Sequence, residues 1–256
     1  VAKMTPAARK QGRKNSVLSS DSSSVQDYVK VLYSFTEWQD RPVSSSLLAA
    51  RLGVANSSVS EMVRKLVGLG LVAHEPYGSG ELTGRGRRLA LAMVRRHRLL
   101  ETYLVKELGY AWDEVHDEAE LLEHTVSDKM IERIAAKLGN PDRDPHGDPI
   151  PSADGSVTVP RAYPLPDLDE GHTGRITRIS DEDPELLRFL QAESISLDDP
   201  VRVIGRRPFG GALVVRFGAE DEARELDLGE QAAAALWISS DRPHPGGGTG
   251  DRSAAG

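Results

Sequence analysis

Residues 43–72, VSSSLLAARLGVANSSVSEMVRKLVGLGLV, decide the fold of the first half of this chain. Leu47, Leu48 and Leu52 recur at helical spacing, and Gly53 breaks the run. A second helix then starts, capped by Asn56 or Ser57, with Val59, Met62, Val63 and Leu66 as its apolar stripe. Gly68 and Gly70 end it. Two short helices joined at a glycine fit a helix-turn-helix. The next stretch, LVAHEPYGSGELT (71–83), reads as two short strands around a Pro/Gly-rich turn, which fits a wing. Outside its stripe the second helix presents Asn56, Ser57, Ser58, Ser60, Glu61, Arg64 and Lys65. Short hydroxyls allow close approach to phosphates and base edges, and a helix N-terminus favours phosphate. Glu61 either accepts from a cytosine amino group or points away. The competing reading is an ordinary helical hairpin with a solvated face.

Charge favours DNA. Residues 1–98 hold 16 Lys+Arg against 7 Asp+Glu, and residues 99–256 hold 16 against 32. A net charge of −7 therefore conceals a basic half suited to a polyanion and an acidic half suited to cations. Arg85, Arg87 and Arg88, just after the wing, suit backbone phosphates.

Upstream, Val25, Tyr28, Val29, Leu32, Tyr33 and Phe35 make one stripe of a helix over 24–38, closed by Arg41-Pro42. Residues 1–22 read as a disordered basic arm, and the Gly/Pro-rich residues 241–256 as a disordered tail. Downstream, Thr83 caps a long amphipathic helix that Gly109 stops. Asp113 or Asp117 starts another, running through Leu121, Val126 and Ile131 to Leu138. Residues 139–168 are rich in Pro, Asp and Gly and read as a linker. From Gly174 to Ile238 the period becomes two, with one helix at PELLRFLQ, as expected of a small β-barrel.

The sequence has no cysteine, which removes disulfides, thiolate zinc sites, iron–sulfur clusters and a cysteine nucleophile. No apolar run approaches the ~20 residues of a membrane helix. No apolar segment comes after the basic N-terminal residues as in a secretory signal, so a cytoplasmic location is expected. A metal site here must use oxygen and imidazole donors. VHDEAELLEH places His116, Glu120, Glu123 and His124 on one helix face, and RRHRLLE places His97 and Glu101 one turn apart on the preceding helix. Crowded carboxylates beside histidines repel unless a cation or proton intervenes. A solvated acidic helix face is the bland alternative for one such pair, and a weak one for two sets on adjacent helices.

With these motifs, and with LTGRGRRLALAMVRRHRLLE and LGNPDRDPHGDPIP, the chain resembles the DtxR family of metal-dependent transcriptional repressors, nearest its manganese-responsive branch. The likeness is strong over residues 24–150 and weaker over Gly174–Ile238. It implies an α+β protein, mostly α in its N-terminal half. The expected parts are a winged helix-turn-helix domain (23–92), a helical dimerisation and metal-binding domain (93–152), a linker (153–168) and an SH3-like, FeoA-like barrel (169–240). It also assigns roles by position. The primary site falls on Asp27, Glu120, Glu123 and His124, and the ancillary site on His97, Glu101 and His116, with Asp181 as the best match in the C-terminal domain. Iron-type members carry methionine and cysteine where this chain has Asp27 and Glu120. Hard carboxylates there suit Mn²⁺, although Fe²⁺ and later divalent metals bind such donors at least as tightly. Lys30, where binuclear members carry an acid, argues for two separate sites.

The expected function is a Mn²⁺-activated repressor of manganese-homeostasis genes. Metal orders the first helix and fixes two recognition helices of a homodimer on a palindromic operator. An iron-responsive repressor is the alternative, and a carboxylate-bridged metalloenzyme on a helix bundle a remote one. No enzyme activity, membrane association or small organic substrate is expected.

Overall fold

The computed structural model describes residues 22–38, 43–73, 80–219 and 223–240. All of the expected arm (1–22) but its last residue, the wing tip (74–79) and the tail (241–256) lie outside them. The chain divides into two compact units, one of residues 1–35 and 41–92, the other of 36–40 and 93–256.

In the first unit, α1 (Ser23–Glu37) begins where the Ser22 carbonyl accepts from the Val25 and Gln26 N–H groups. Its stripe, Val25, Tyr28, Val29, Leu32 and Tyr33, is buried. The α2 helix (Ser45–Leu52) is capped by the Ser44 hydroxyl, which accepts from Leu47 N. It ends at Gly53, whose φ of 64° is left-handed and costs glycine nothing. The α3 helix (Asn56–Gly68) packs on α2 and buries Val59 and Leu66. Its N-cap is Ala55, with no side-chain bond, rather than the expected Asn56 or Ser57, which are its first two helical residues. The wing strands β1 (Val72–Ala73) and β2 (Glu81–Leu82) pair antiparallel, Val72 opposite Leu82. The α4 helix (Gly84–Leu108) starts where Thr83 Oγ1 accepts from Gly86 N at 3.0 Å, as its sequence predicts.

The second unit takes α4 from Met93 onward. The single helix expected up to Leu138 is two: α5 (Val115–Glu123) and α6 (Asp128–Lys137). The break is chemical. Ser127 turns extended and its hydroxyl accepts from Met130 N, starting α6 afresh. Leu99, Leu100, Leu104, Val115, Ala119, Ile131, Ile134 and Ala135 form the helical core.

The C-terminal part is a six-stranded antiparallel sheet in the order β3-β8-β4-β5-β6-β7. Its strands are β3 (Tyr163–Pro164), β4 (Thr173–Ile179), β5 (Pro200–Arg206), β6 (Leu213–Phe217), β7 (Arg224–Leu228) and β8 (Leu236–Ser240). The helices α7 (Pro184–Ala192) and α8 (Glu230–Ala234) complete it. Ile176, Ile179, Val203, Val215, Leu236 and Ile238 of the strands fill its core together with Leu187 and Leu190 of α7.

The expected linker is not one throughout. Asp144, His146, Asp148 and Ile150 are all buried, and Leu165 lies fully inside the sheet core. The Arg143–Pro149 bridge closes the loop on itself. Ile179 N on β4 donates to the His146 carbonyl at 2.9 Å. A Cβ on Gly147 would stand 2.1 Å from the Thr177 carbonyl oxygen, so only glycine lets this loop lie against β4.

Candidate metal centre and nucleic-acid interface

His97 and Glu101, one turn apart on α4, face α5 inside the second unit. His97 Nδ1 lies 2.6 Å from Glu123 Oε2. Its Nε2 lies 2.9 Å from Glu101 Oε1 and 3.2 Å from His116 Nδ1. His116 Nδ1 is also 3.2 Å from Glu101 Oε1 and 3.1 Å from Asp181 Oδ2, and its Nε2 is 3.7 Å from Glu120 Oε1. The structure thus brings His97, Glu101, His116 and Asp181 together. It also sets Glu120 and Glu123, expected in the primary set, against the two histidines of the ancillary set. His124 caps α5, with Nε2 3.5 Å from Glu123 Oε1. Asp27 is half-buried on α1, in the first unit.

The sequence reading missed Asp144 and His146. One ligand atom from each of Glu101, Asp144 and His146 falls within 4.8 Å of the others, and all three residues are buried. Asp144 Oδ1 accepts from the His146 and Asp148 N–H groups, both at 2.9 Å, which fixes its carboxylate. His146 Nε2 lies 2.8 Å from the Trp112 carbonyl, and its ring stacks on Trp112 at 6.0 Å. Donation to that carbonyl puts the proton on Nε2 and leaves the Nδ1 lone pair available in the neutral ring. Among the described residues that buried Nδ1 has no hydrogen-bond partner. The signal was the D-x-H-x-D spacing over 144–148, hidden in a Pro/Gly-rich stretch.

The electrostatics are those of donors crowded without a divalent charge. Burial, with Asp148 and Glu101 beside it, pushes the Asp144 carboxyl up to about 8. Burial alone would lower His116, but its bonds to Asp181 and Glu101 outweigh this and lift it to about 10. Burial would raise Glu101 and Asp181, but His97 and His116 hold Glu101, and His116, His146 and Arg178 hold Asp181, well below the carboxylate range. Protons thus sit among hard oxygen and imidazole donors with an orphaned ring nitrogen, a set that fits a divalent metal such as manganese. Behind the cluster Arg98 is buried. It donates to both Glu37 carboxylate oxygens (2.8 and 2.6 Å) and to the Pro149 carbonyl (2.6 Å), and lies 3.5–3.6 Å from Asp148 and Asp144.

On α3, Asn56, Ser57, Ser58, Ser60, Glu61, Arg64 and Lys65 are all exposed. The uncapped first turn of this 13-residue helix suits a phosphate. Ser60 Oγ donates to the Asn56 carbonyl and Arg64 Nε to the Ser60 carbonyl, so both fold back along the helix. Of the arginines after the wing, Arg85 donates to the Leu69 carbonyl and Arg87 lies 5.2 Å over the Tyr33 ring.

Comparison with known proteins agrees with these features. Residues 22–79 match the N-terminal DNA-binding domain of iron-dependent repressors. Residues 83–152 match their metal-binding and dimerisation domain, and residues 163–240 the FeoA domain. A solved manganese-dependent transcriptional repressor in complex with manganese is 54% identical, with a TM-score of 0.80 over 84% of this chain and 99% of that one. The manganese regulator SloR is 32% identical, with a TM-score of 0.71 over 84% of this chain and 98% of its own. The diphtheria toxin repressor of Corynebacterium glutamicum is 31% identical over 206 residues, 76% of this chain and 89% of that protein. The iron-dependent repressor IdeR of Mycobacterium tuberculosis is 35% identical over 152 residues, and the match spans 59% of this chain and 64% of IdeR. These relatives are transcriptional repressors, not enzymes, and this chain belongs to the DtxR family of metal-dependent transcriptional repressors.

Proposed function

We propose that the protein is a Mn²⁺-activated repressor of manganese uptake and homeostasis genes, acting in the cytoplasm as a homodimer on a palindromic operator. The observation that carries this reading is the buried cluster of oxygen and nitrogen donors joining α4, α5, the 143–149 loop and the C-terminal sheet. Similarity to manganese-dependent repressors and the hard carboxylates Asp27 and Glu120 favour manganese over iron. Within the described residues no helix is long and apolar enough to cross a membrane.

His97, Glu101, His116 and Asp181 form one donor set, which Asp144 and His146 extend. Asp27, Glu120, Glu123 and His124 form the other, with Asp27 assigned by the family resemblance. A bound divalent ion supplies the positive charge that lets these carboxylates stand together. The residues do the rest. Glu123 accepts the His97 Nδ1 proton and so fixes Nε2 as the ligand nitrogen. Asp27 would hold the ion from α1 and so order that helix, and α3 would offer its exposed face to the major groove. Leu121, at 72% exposure, with Leu108 and Met130, offers the helical unit's apolar contribution to a dimer.

The test is binding to DNA selected from a random pool in Mn²⁺. Titrations run metal-free and with Mn²⁺, anaerobic Fe²⁺ and Zn²⁺, on wild type and Glu123→Ala. Metal-dependent binding lost in the variant is expected. Equal binding without metal sinks the reading, and a response to Fe²⁺ alone at cellular concentrations transfers it to iron.

A further inference from the structure

The last residues of α1 are held by an arrangement that metal ligation does not explain. Glu37, with a side chain 1% exposed, takes both terminal nitrogens of Arg98. The next residue, Trp38, donates from Nε1 to Asp148 Oδ1 at 2.6 Å. The same oxygen accepts from Arg178 Nε on β4 at 2.7 Å. The Arg178 guanidinium lies 5.3 Å from the Trp38 ring centroid and 5.9 Å from that of Trp237 on β8. The two indoles are 5.4 Å apart, tilted by 50°. A shift in the β4–β8 register between Ile176 and Arg178 sets Arg178 opposite Trp237, as a bulge that re-aims one side chain does. Every one of these residues belongs to the second unit.

Asp148 is the hub. It accepts from Trp38 and from Arg178, and it lies on the same seven-residue loop as Asp144 and His146, to whose backbone it is tied through Asp144 Oδ1. A loop pinned by so many bonds moves as a body. Any adjustment that lets Asp144 and His146 close on a metal is passed to Asp148, and from there to Trp38. The far end of this lever is α1. Asp27 lies ten residues before Glu37 on the same unbroken helix, about 15 Å at 1.5 Å per residue.

We propose that Trp38, Arg178 and Trp237 are positioning residues of the metal response: through Asp148 they make the C-terminal sheet hold the foot of α1, and so couple occupancy of the Asp144–His146 cluster to the helix that carries Asp27. This rests on the repressor reading above. None of the three belongs to the donor groups or to the exposed face of α3. Their loss separates metal uptake from DNA response, where a ligand substitution removes both.

The experiment compares full-length wild type with Trp38→Phe, Arg178→Gln and Arg178→Lys, each checked for its fold by circular dichroism. Free Mn²⁺, followed by room-temperature EPR without DNA, gives metal affinity. The Mn²⁺ concentration at half-maximal DNA binding gives the response. Arg178→Gln and Trp38→Phe are expected to hold Mn²⁺ within about threefold of wild type yet need at least about tenfold more of it to bind DNA. Arg178→Lys, which keeps the cation, is expected to fall between. Unchanged DNA midpoints, or midpoints that move only by the same factor as metal affinity, overturn the proposal. A second readout needs no DNA. In Trp112→Phe only Trp38 and Trp237 remain of the chain's three tryptophans. Their emission is expected to change on adding Mn²⁺ or the diamagnetic Cd²⁺, and the change to vanish when Arg178→Gln is added. If wild type takes up Mn²⁺ without gaining DNA affinity, the repressor reading falls. The coupling of cluster to helix foot is then judged by this signal, and a Trp112→Phe protein that binds Mn²⁺ by EPR yet stays silent refutes it.

Discussion

Substituting Gly147 by alanine tests whether the 143–149 loop is built against β4 as described. The residue sits at φ 93°, and an added Cβ would meet the Thr177 carbonyl oxygen at 2.1 Å, with Arg178 Cα and Leu197 Cδ2 at 3.0 Å. The left-handed backbone alone costs an L-residue about 1–2 kcal/mol. Relieving the oxygen contact requires loop and strand to part by about 1 Å, an overpacking cost of ~1–3 kcal/mol. The bond from Ile179 N to the His146 carbonyl, 2.9 Å long, is broken by the same movement. Gly139→Ala is the control, because Gly139 has a similar φ of 77° but nothing within 4 Å of its would-be Cβ. Urea unfolding of the metal-free protein, followed by tryptophan emission, is expected to show a loss of ~1 kcal/mol for Gly139→Ala and about 3 kcal/mol for Gly147→Ala. At a denaturant slope near ~2 kcal/mol/M the latter moves the midpoint by about 1.5 M. Equal losses in the two variants would mean that the loop does not press on β4, and the burial of Asp144 and His146 would lose its structural basis.

The same geometry fixes other outcomes. Arg98→Met leaves the buried Glu37 and Asp148 carboxylates without their shared cation and should cost about 3–5 kcal/mol of stability in chemical denaturation; a loss below ~1 kcal/mol would contradict the buried network. His116, lifted to about 10, and Asp144, lifted to about 8, stabilise the metal-free fold fully below their unfolded values and lose that contribution as pH rises through the folded ones. The metal-free melting temperature should therefore fall between pH 7 and pH 10, and a flat or rising profile would refute the assignment. His146→Ala should weaken Mn²⁺ binding at least about tenfold by EPR, while an unchanged isotherm would remove His146 from the donor set. Arg64→Ala and Lys65→Ala should each weaken DNA binding and reduce the salt dependence by about one counterion, and a slope equal to wild type would place that residue off the phosphates.

The winged helix was legible because its signals are local. Gly53 must adopt a left-handed φ wherever α2 ends, Thr83 can cap only the helix that starts at the next residue, and the stripes of α1 and α3 repeat at 3.6 residues. The sheet was legible in part: Val201, Arg202 and Val203 of β5 alternate buried and exposed, whereas β6 buries Leu213, Val214 and Val215 in succession and the bulge in β4 puts its buried Ile176 and Ile179 three residues apart. The helix break at Ser127 was not, because the apolar pattern runs through Val126 and Ile131 without interruption and only the cap geometry divides it. Asp144, His146 and Asp148 were read as linker because their composition is that of solvated chain. They are buried by Trp112, Arg98, Trp38 and β4, groups 30 or more residues away that a local window does not contain. The donor pairs on α4 and α5 were readable from spacing, whereas the proximity of Glu120 and Glu123 to His116 and His97 depends on how the two helices pack.

The donor cluster is made of carboxylate oxygen and imidazole nitrogen, in a sequence without a single thiol. Peroxide and disulfide stress silence many metal sites by converting a ligating cysteine into sulfenic acid or a disulfide. None of these donors can undergo that chemistry. In the repressor proposed above, the metal response would therefore outlast the oxidation of thiols around it.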